Sequence, residues 1–197
     1  MRQQRFIQET ELLEDSYRLA VDIFNDGFRP TFVVGLWRGG STVGIYVQEC
    51  LQYLGVETDH IALRTSYRGM HDYEVMVSNP DRNIRVHGTQ YLLETLNAED
   101  RLLIVDDVSG SGQTLDVVRK RLAHKLKRNL PNELRTATLF HKPGRNRSGR
   151  RPDYFRHETD EWLVLPYELV GLDIDTLRAH KPDAAALLQP DLVSTVE

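Results

Sequence analysis

Asp106 and Asp107 stand side by side directly after an apolar run, Leu102 to Val105. Ser109, Gly110, Ser111, Gly112, Gln113 and Thr114 follow, and these small residues lead into the amphipathic run Leu115 to Leu126. The apolar run reads as a strand buried on both faces of a parallel sheet. A small-residue loop between such a strand and a helix offers backbone N–H groups and hydroxyls at the positive end of the helix, which suits a phosphate. Two adjacent carboxylates suit the hydroxyls of a ribose, or a metal ion. One turn could therefore hold a sugar by its diol and its 5′-phosphate together.

Other turns of this composition have different uses. No Lys follows the glycines, so the loop is not a Walker phosphate loop. The acid pair could belong to a receiver-type acid pocket, but no other strand end offers an obvious phospho-acceptor Asp. A second cluster, Trp37-Arg38-Gly39-Gly40, ends another apolar run. Paired glycines there permit close approach to a ligand, and Arg38 supplies a fixed positive charge suited to phosphate. A plain strand-to-helix turn with a surface arginine is the alternative. A third cluster is Lys142-Pro143 with Trp162-Leu163, both at expected strand ends, where ligands of α/β sheets bind. An indole stacks and a lysine donates, although a tryptophan entering a strand is more often core.

These clusters need an α/β scaffold. Helical spacing of Leu12, Leu13, Leu19, Ala20, Ile23 and Phe24 predicts a helix over 11–24, capped by Gly27. A strand over 31–36 precedes a helix capped by Ser41 or Thr42 and running to about Leu54. A third strand spans 57–63. The polar stretch 64–85 reads as a long loop, with His71 and His87 solvated, and loops of that length are commonly functional. A short strand at 84–86 and a helical turn at 89–96 precede the central motif. Lys120, Arg121, His124, Lys125, Lys127 and Arg128 line the helix after it, as a solvated face or an effector surface. A strand over 135–140 follows. Residues 144–157, rich in arginine, read as an exposed excursion whose charge could attract an anionic ligand or a second subunit, with disorder the default. The last strand is expected at 162–167, and a helix over 177–188 around Lys181-Pro182.

The chain has 197 residues, 40% hydrophobic, enough for one domain with one core. Within it the core is expected over about 8–140, a hood over about 141–171 and a tail over 172–197. The net charge of −4 argues against a general nucleic-acid-binding surface. Cys50 is the sole cysteine, so there is no disulfide framework or cysteine metal site, and its apolar neighbours predict a buried helix position. The amino terminus lacks a signal-peptide core and no segment is long enough to span a membrane, which predicts a soluble cytoplasmic protein.

The 106–114 segment resembles the PRPP-binding motif (PRPP, 5-phosphoribosyl-1-pyrophosphate) of type I phosphoribosyltransferases. The resemblance extends over about 17–171 and takes in all three clusters in the family's order. It implies a mainly parallel α/β sheet flanked by helices, with a small hood over the base site. It also implies transfer of the 5-phosphoribosyl group from PRPP to a purine base, releasing pyrophosphate and a nucleoside monophosphate. Asp106 and Asp107 would bind the ribose 2′- and 3′-hydroxyls, and Ser109, Gly110, Ser111, Gly112, Gln113 and Thr114 would cradle the 5′-phosphate. Arg38, Gly39 and Gly40 match the pyrophosphate loop, with a non-proline cis peptide at Trp37–Arg38. Ser66 and Tyr67 match the Ser-Tyr pair of a mobile lid. Lys142, Trp162 and Leu163 resemble the base site of the xanthine-guanine and hypoxanthine enzymes, in which the lysine reads the purine O6, the aromatic stacks and the next backbone reads the purine edge. Mg²⁺ is implied as cofactor, with Asp106, Asp107 and Glu168 as its residues, and a homodimer as the assembly.

One position departs from that pattern. The 6-oxopurine enzymes typically carry an Asp in the phosphate loop as general acid or base, where this chain has Gly110. Glycine cannot transfer a proton, and such help is typically worth about 10²–10⁴-fold. Two other functions therefore stay open: a PRPP- or nucleotide-sensing regulator with little catalysis, and the same fold serving another nitrogenous acceptor.

Overall fold

A computed structural model describes residues 4–67 and 84–188, with the backbone alone at Tyr67. Residues 12–160 form one compact unit, and residues 1–11 with 161–197 form a second. In the larger unit the apolar runs become strands of a six-stranded sheet: β2 (Phe32–Trp37), β3 (Asp59–Tyr67), β4 (Ile84–His87), β5 (Arg101–Ser109), β6 (Glu133–His141) and β7 (Tyr154–Glu158). Their order is β4-β3-β2-β5-β6-β7, parallel throughout except for β4, which runs antiparallel to β3. Parallel pairing needs crossovers: the helices α2 (Gly39–Tyr53), α3 (Gln90–Thr95) and α4 (Gln113–Leu126) lie between these strands in sequence, and α1 (Glu9–Asn25) precedes β2.

The central strands β2 and β5 are buried on both faces, as their continuous apolar sequence requires. On one face Val34, Leu36, Leu102 and Ile104 pack with Leu115, Val118 and Leu122 of α4. On the other, α2 presses directly onto β2. A Cβ at Gly35 would lie 2.9 Å from the Cα of Ser41, so this strand and helix approach closer than side chains would permit. The sheet therefore delivers the carboxyl ends of β2 and β5 beside one another.

Several boundaries differ from those the sequence predicts. β5 runs through Asp106 and Asp107 to Ser109, so the acid pair belongs to the strand. α2 begins at Gly39 with no side-chain cap, replacing the expected cap at Ser41 or Thr42. β3 continues to Tyr67, and with β4 it claims both ends of the expected loop; His71 lies outside the described residues. Cys50 is half-buried on α2, and burial pushes its thiol up. Residues 154–158 form β7, where a disordered excursion was expected. Asp153 fastens the approach to β7, accepting from the N–H and hydroxyl of Thr136 at 2.7 and 2.8 Å.

β7 is also tied to α1. Asp15, 3% exposed, meets His157 Nε2 at 2.5 Å and accepts from Arg18 at 2.9 Å. Burial pushes the Asp15 carboxyl up, but the hydrogen bonds and charges of His157 and Arg18 outweigh it and hold the carboxyl below its ordinary value. A depressed acid contributes stability that is present above its unfolded pKa and lost as pH falls through the folded one. Asp15→Ala should therefore cost about 2–3 kcal/mol at pH 7 in urea unfolding, with the difference shrinking below about pH 4. A pH-independent difference would show that the charge is irrelevant there.

The second unit pairs β1 (Gln4–Phe6) in parallel with β8 (Trp162–Val164), three residues each. β8 is shorter than the strand expected over 162–167 and joins this separate two-stranded sheet. The expected helix over 177–188 is two helices, α5 (Ile174–His180) and α6 (Pro182–Leu187), broken at Lys181. Lys181 Nζ donates to the carbonyls of Leu165 and Pro166 at 2.6 and 2.7 Å, and His180 stacks on Phe6 at 3.7 Å between ring centres. Among the described residues, no helix is long and apolar enough to cross a membrane.

Candidate active site

The acid pair is held by its own backbone. Asp106 Oδ1 accepts from the N–H of Asp107 at 3.0 Å, and Asp107 Oδ1 accepts from the N–H of Val108 at 2.7 Å. Burial first, and the neighbouring Asp107 carboxylate second, push the Asp106 carboxyl well above the usual carboxylate range. An acid facing that cost is a poor structural choice and a good binding one: donors from a diol, or a cation, relieve both its burial and its repulsion by Asp107.

The glycine pair closes on this acid pair. The peptide Trp37–Arg38 is cis, and Gly39 starts α2 immediately after it. A Cβ at Gly40 would lie 2.5 Å from the Val105 carbonyl oxygen, 2.7 Å from Asp106 Cα and 3.0 Å from Asp106 Oδ1. The Arg-Gly-Gly turn and the acid pair are thus one continuous surface. Arg38 is exposed and has no ion-pair partner among the described residues, so its charge is available to a ligand.

Ser109 to Gly112 then turn the chain into α4. Gly112 takes φ +74°, a left-handed conformation that glycine adopts at no steric cost. The first intrahelical bond is Asp116 N–H to the Gly112 carbonyl at 3.2 Å, so the amides of Gln113 to Leu115 precede the helical ladder. Gln113 N–H donates to Ser111 Oγ at a long 3.4 Å. The hydroxyl of Ser109 is buried without a partner among the described residues, as is that of Ser41. Amides, hydroxyls and the helix dipole converge here, the equipment of an anion site.

Lys142, 6% exposed, follows β6, and its N–H donates to the Ser109 carbonyl at 2.9 Å. The expected base-reading lysine is therefore strung to the start of the phosphate loop. Ser66 and Tyr67 end β3 opposite Arg85 and Ile84, and Ser66 Oγ lies 2.9 Å from His87 Nε2. The residues of the expected lid beyond Tyr67 lie outside those described. Trp162 (47% exposed) and the buried Leu163 are on β8 of the second unit. Glu168, in that same unit, spends Oε2 on the N–H of Leu165 at 2.9 Å, closing a tight turn.

The family model of the phosphoribosyl transferase domain matches residues 6–169. The chain belongs to this phosphoribosyltransferase family. A curated human relative, phosphoribosyltransferase domain-containing protein 1, is 29% identical over 154 residues, which is 77% of this chain and 65% of the relative. The chain thus spans just under two thirds of that relative's length. Among solved structures it resembles a hypothetical protein from Neisseria gonorrhoeae with bound ppGpp (18% identity, TM-score 0.69, covering 93% of this chain and 98% of that one). It also resembles the xanthine-guanine-hypoxanthine phosphoribosyltransferase of Helicobacter pylori (18% identity, TM-score 0.63, covering 90% and 100%). The fold is that of type I phosphoribosyltransferases, a mostly parallel α/β sheet flanked by helices.

Two features of the candidate site were not read from the sequence. Arg147 and Ser148 both donate their N–H groups to the Ser111 carbonyl, at 2.9 and 3.1 Å, so the arginine-rich segment straps the phosphate loop. Asp160 accepts from Gly144 N–H at 3.1 Å and fixes the turn after Lys142. Neither leaves a local signal, because a backbone carbonyl is no sequence motif and Asp160 is an ordinary loop acid until its partner is placed.

Proposed function

We propose that the protein transfers the 5-phosphoribosyl group from PRPP to a ring nitrogen of a 6-oxopurine (hypoxanthine, guanine or xanthine), releasing pyrophosphate. The observation that carries this reading is the closure of Gly40 onto Asp106 beside the start of α4, which has no side-chain cap. Three anion and diol subsites then follow the order of PRPP itself. Asp106 and Asp107 take the ribose hydroxyls, the loop 109–114 takes the 5′-phosphate, and Arg38 with the Gly39 and Gly40 amides takes the leaving pyrophosphate. Lys142 donates to the purine O6; the family resemblance, and it alone, adds Trp162 as the stacking ring and the Leu163 backbone as the reader of the purine edge. Ser66 and Tyr67 root the lid that excludes water, since hydrolysis of PRPP competes with transfer.

Little covalent chemistry falls to these residues. They align the base nitrogen with C1 of the ribose and stabilise the positive charge that develops there as pyrophosphate departs. The carboxylates at 106 and 107 fit Mg²⁺, because burial and the neighbouring Asp107 charge disfavour ionised Asp106 until something positive arrives; Glu168 joins the proposed set through the family resemblance alone. When bound, Mg²⁺ would supply charge neutralisation for pyrophosphate. A homodimer, a cytoplasmic location and a role in nucleotide salvage belong to the same proposal.

The test is pyrophosphate release from PRPP and Mg²⁺ with hypoxanthine, guanine, xanthine, adenine, uracil and orotate supplied separately. Fast release with an oxopurine is expected. Lys142→Ala should then cut kcat/KM for that base about 10–100-fold, the worth of one charge-assisted hydrogen bond. Unchanged turnover in that variant would move the acceptor to another class of nitrogenous base. Gly110 favours a second function, a PRPP- or nucleotide-sensing regulator, and the ppGpp-bound neighbour agrees with it. Tight binding of PRPP or ppGpp with no release from any base would select it.

A further inference from the structure

Against the 109–112 loop, a groove of about 340 Å³ opens between α4 and the arginine-rich strap. Arg119, Arg150 and Arg151 line it, and so do Ser109 and Gly112 of the phosphate loop. Two acids also line it; Lys120 matches the Asp116 charge, and Asp153 offsets one of the three guanidiniums, which leaves the lining net positive. Asp116 pairs with Lys120 at 2.8 Å, and Asp153 accepts from Thr136 N–H and Oγ1. The guanidiniums are less occupied. Arg119 reaches Asp153 only at 3.8 Å, Arg151 lies over the Phe155 ring at 4.8 Å, and Arg150 has no ion-pair partner among the described residues. A cleft with unspent positive charge on low-dielectric walls concentrates anions. Ser109, 3% exposed, adds a buried hydroxyl with no partner among the described residues.

We propose that this groove binds the phosphate chain of a polyanionic effector, held by Arg119, Arg150 and Arg151, and that its occupancy weakens PRPP binding at the neighbouring loop. The groove is large enough for a chain of several phosphates, and guanidinium forks match phosphate oxygens bidentately. Coupling follows from the shared parts. Ser109 and Gly112 belong to both sites, and the strap that carries Arg150 and Arg151 is bonded through Arg147 and Ser148 to the Ser111 carbonyl. A Cβ at Gly112 would lie 2.4 Å from Ser148 Oγ, so strap and loop cannot move independently. Two polyanions held against one loop repel each other, which makes the coupling negative and, by linkage, reciprocal. The binding half of this proposal stands alone, whereas the coupling half rests on the proposed PRPP site.

The experiment is calorimetric titration of inorganic tripolyphosphate into the full chain at fixed salt. The proteins are wild type, the double variant R150A/R151A, R119Q, R38A and, as a surface control, R128A. The double variant and R119Q should each bind at least tenfold more weakly at the groove, while the surface control R128A binds as wild type. In wild type, saturating tripolyphosphate should raise the apparent Kd for PRPP at least fivefold, and in R150A/R151A it should not. Tripolyphosphate lost in R38A but kept in R150A/R151A would place it in the pyrophosphate subsite and overturn the groove. An equal loss in R128A would reduce the binding to general surface charge and also overturn it, and an unchanged PRPP Kd would overturn the coupling. Failure of PRPP to bind wild type, with tripolyphosphate still sensitive to R150A/R151A, would sink the transferase proposal and leave the groove standing. ATP displacing tripolyphosphate identifies nucleotides as the source of the chain; no displacement identifies inorganic chains, and either supports the site.

Discussion

Gly40→Ala should lower phosphoribosyl transfer about 100-fold while the protein still folds. The new Cβ would meet the Val105 carbonyl oxygen at 2.5 Å and Asp106 Cα at 2.7 Å. Both are backbone atoms of a strand buried in the middle of the sheet, so they cannot give way as a flexible side chain could. The first turn of α2 must lift instead, by roughly an ångström, and it carries the Arg38–Gly40 loop with it. Overpacking of this kind costs about 1–3 kcal/mol of stability, and an ångström of misplacement costs about 10² in rate. Gly55→Ala is the control. Gly55 has φ +83° with nothing within 4 Å of a new Cβ, so that variant pays for backbone strain, about 1 kcal/mol, far from the acid pair. Kinetics and urea unfolding on both variants separate the two effects. Equal activity in Gly40→Ala and wild type would show that the glycine loop and the acid pair do not act as one site.

Which parts of this site could be read from the sequence follows from how far apart the cooperating residues lie. Asp106, Asp107 and the loop to Thr114 were legible because strand, turn and helix start are contiguous, and each residue type has its reason within a few positions. Arg38-Gly39-Gly40 was legible as a turn, but its contact with Val105 and Asp106 exists only once β2 and β5 pair. The chain around Arg150 and Arg156 looked disordered because its charge hid a strand. What holds β7 is remote: Arg156 pairs with Asp22 at 2.5 Å, His157 meets Asp15, and Asp153 bonds Thr136. β1 and β8 are three residues long, too short for a period, and each is defined only by the other. Pro182 is a break signal that the expected helix over 177–188 ran through: the residue before a proline disfavours helix, and Lys181 turns the break to use by reaching the carbonyls of Leu165 and Pro166.

Asp106→Asn should separate stability from function at the acid pair. The amide oxygen can still accept from Asp107 N–H, as Asp106 Oδ1 does at 3.0 Å, so the local geometry is kept. What disappears is a carboxyl that burial and the Asp107 charge both disfavour in its ionised form. Relief of that cost should raise unfolding free energy by about 1–2 kcal/mol at pH 8, in the range that removal of functional-site strain commonly yields. PRPP binding should move the other way. An amide has one acceptor oxygen and no charge, and charge-assisted bonds are worth about 1.5–3 kcal/mol each, so the Kd for PRPP should rise about 100-fold when two such bonds weaken together. Asp107→Asn should weaken PRPP binding comparably. Urea unfolding and PRPP titration on the same preparations make the comparison direct. A less stable Asp106→Asn protein would mean that the acid pair is structural, and unchanged PRPP affinity in either variant would remove these carboxylates from the ribose. A gain in stability bought with a loss in binding is the signature of acids kept in place for a ligand.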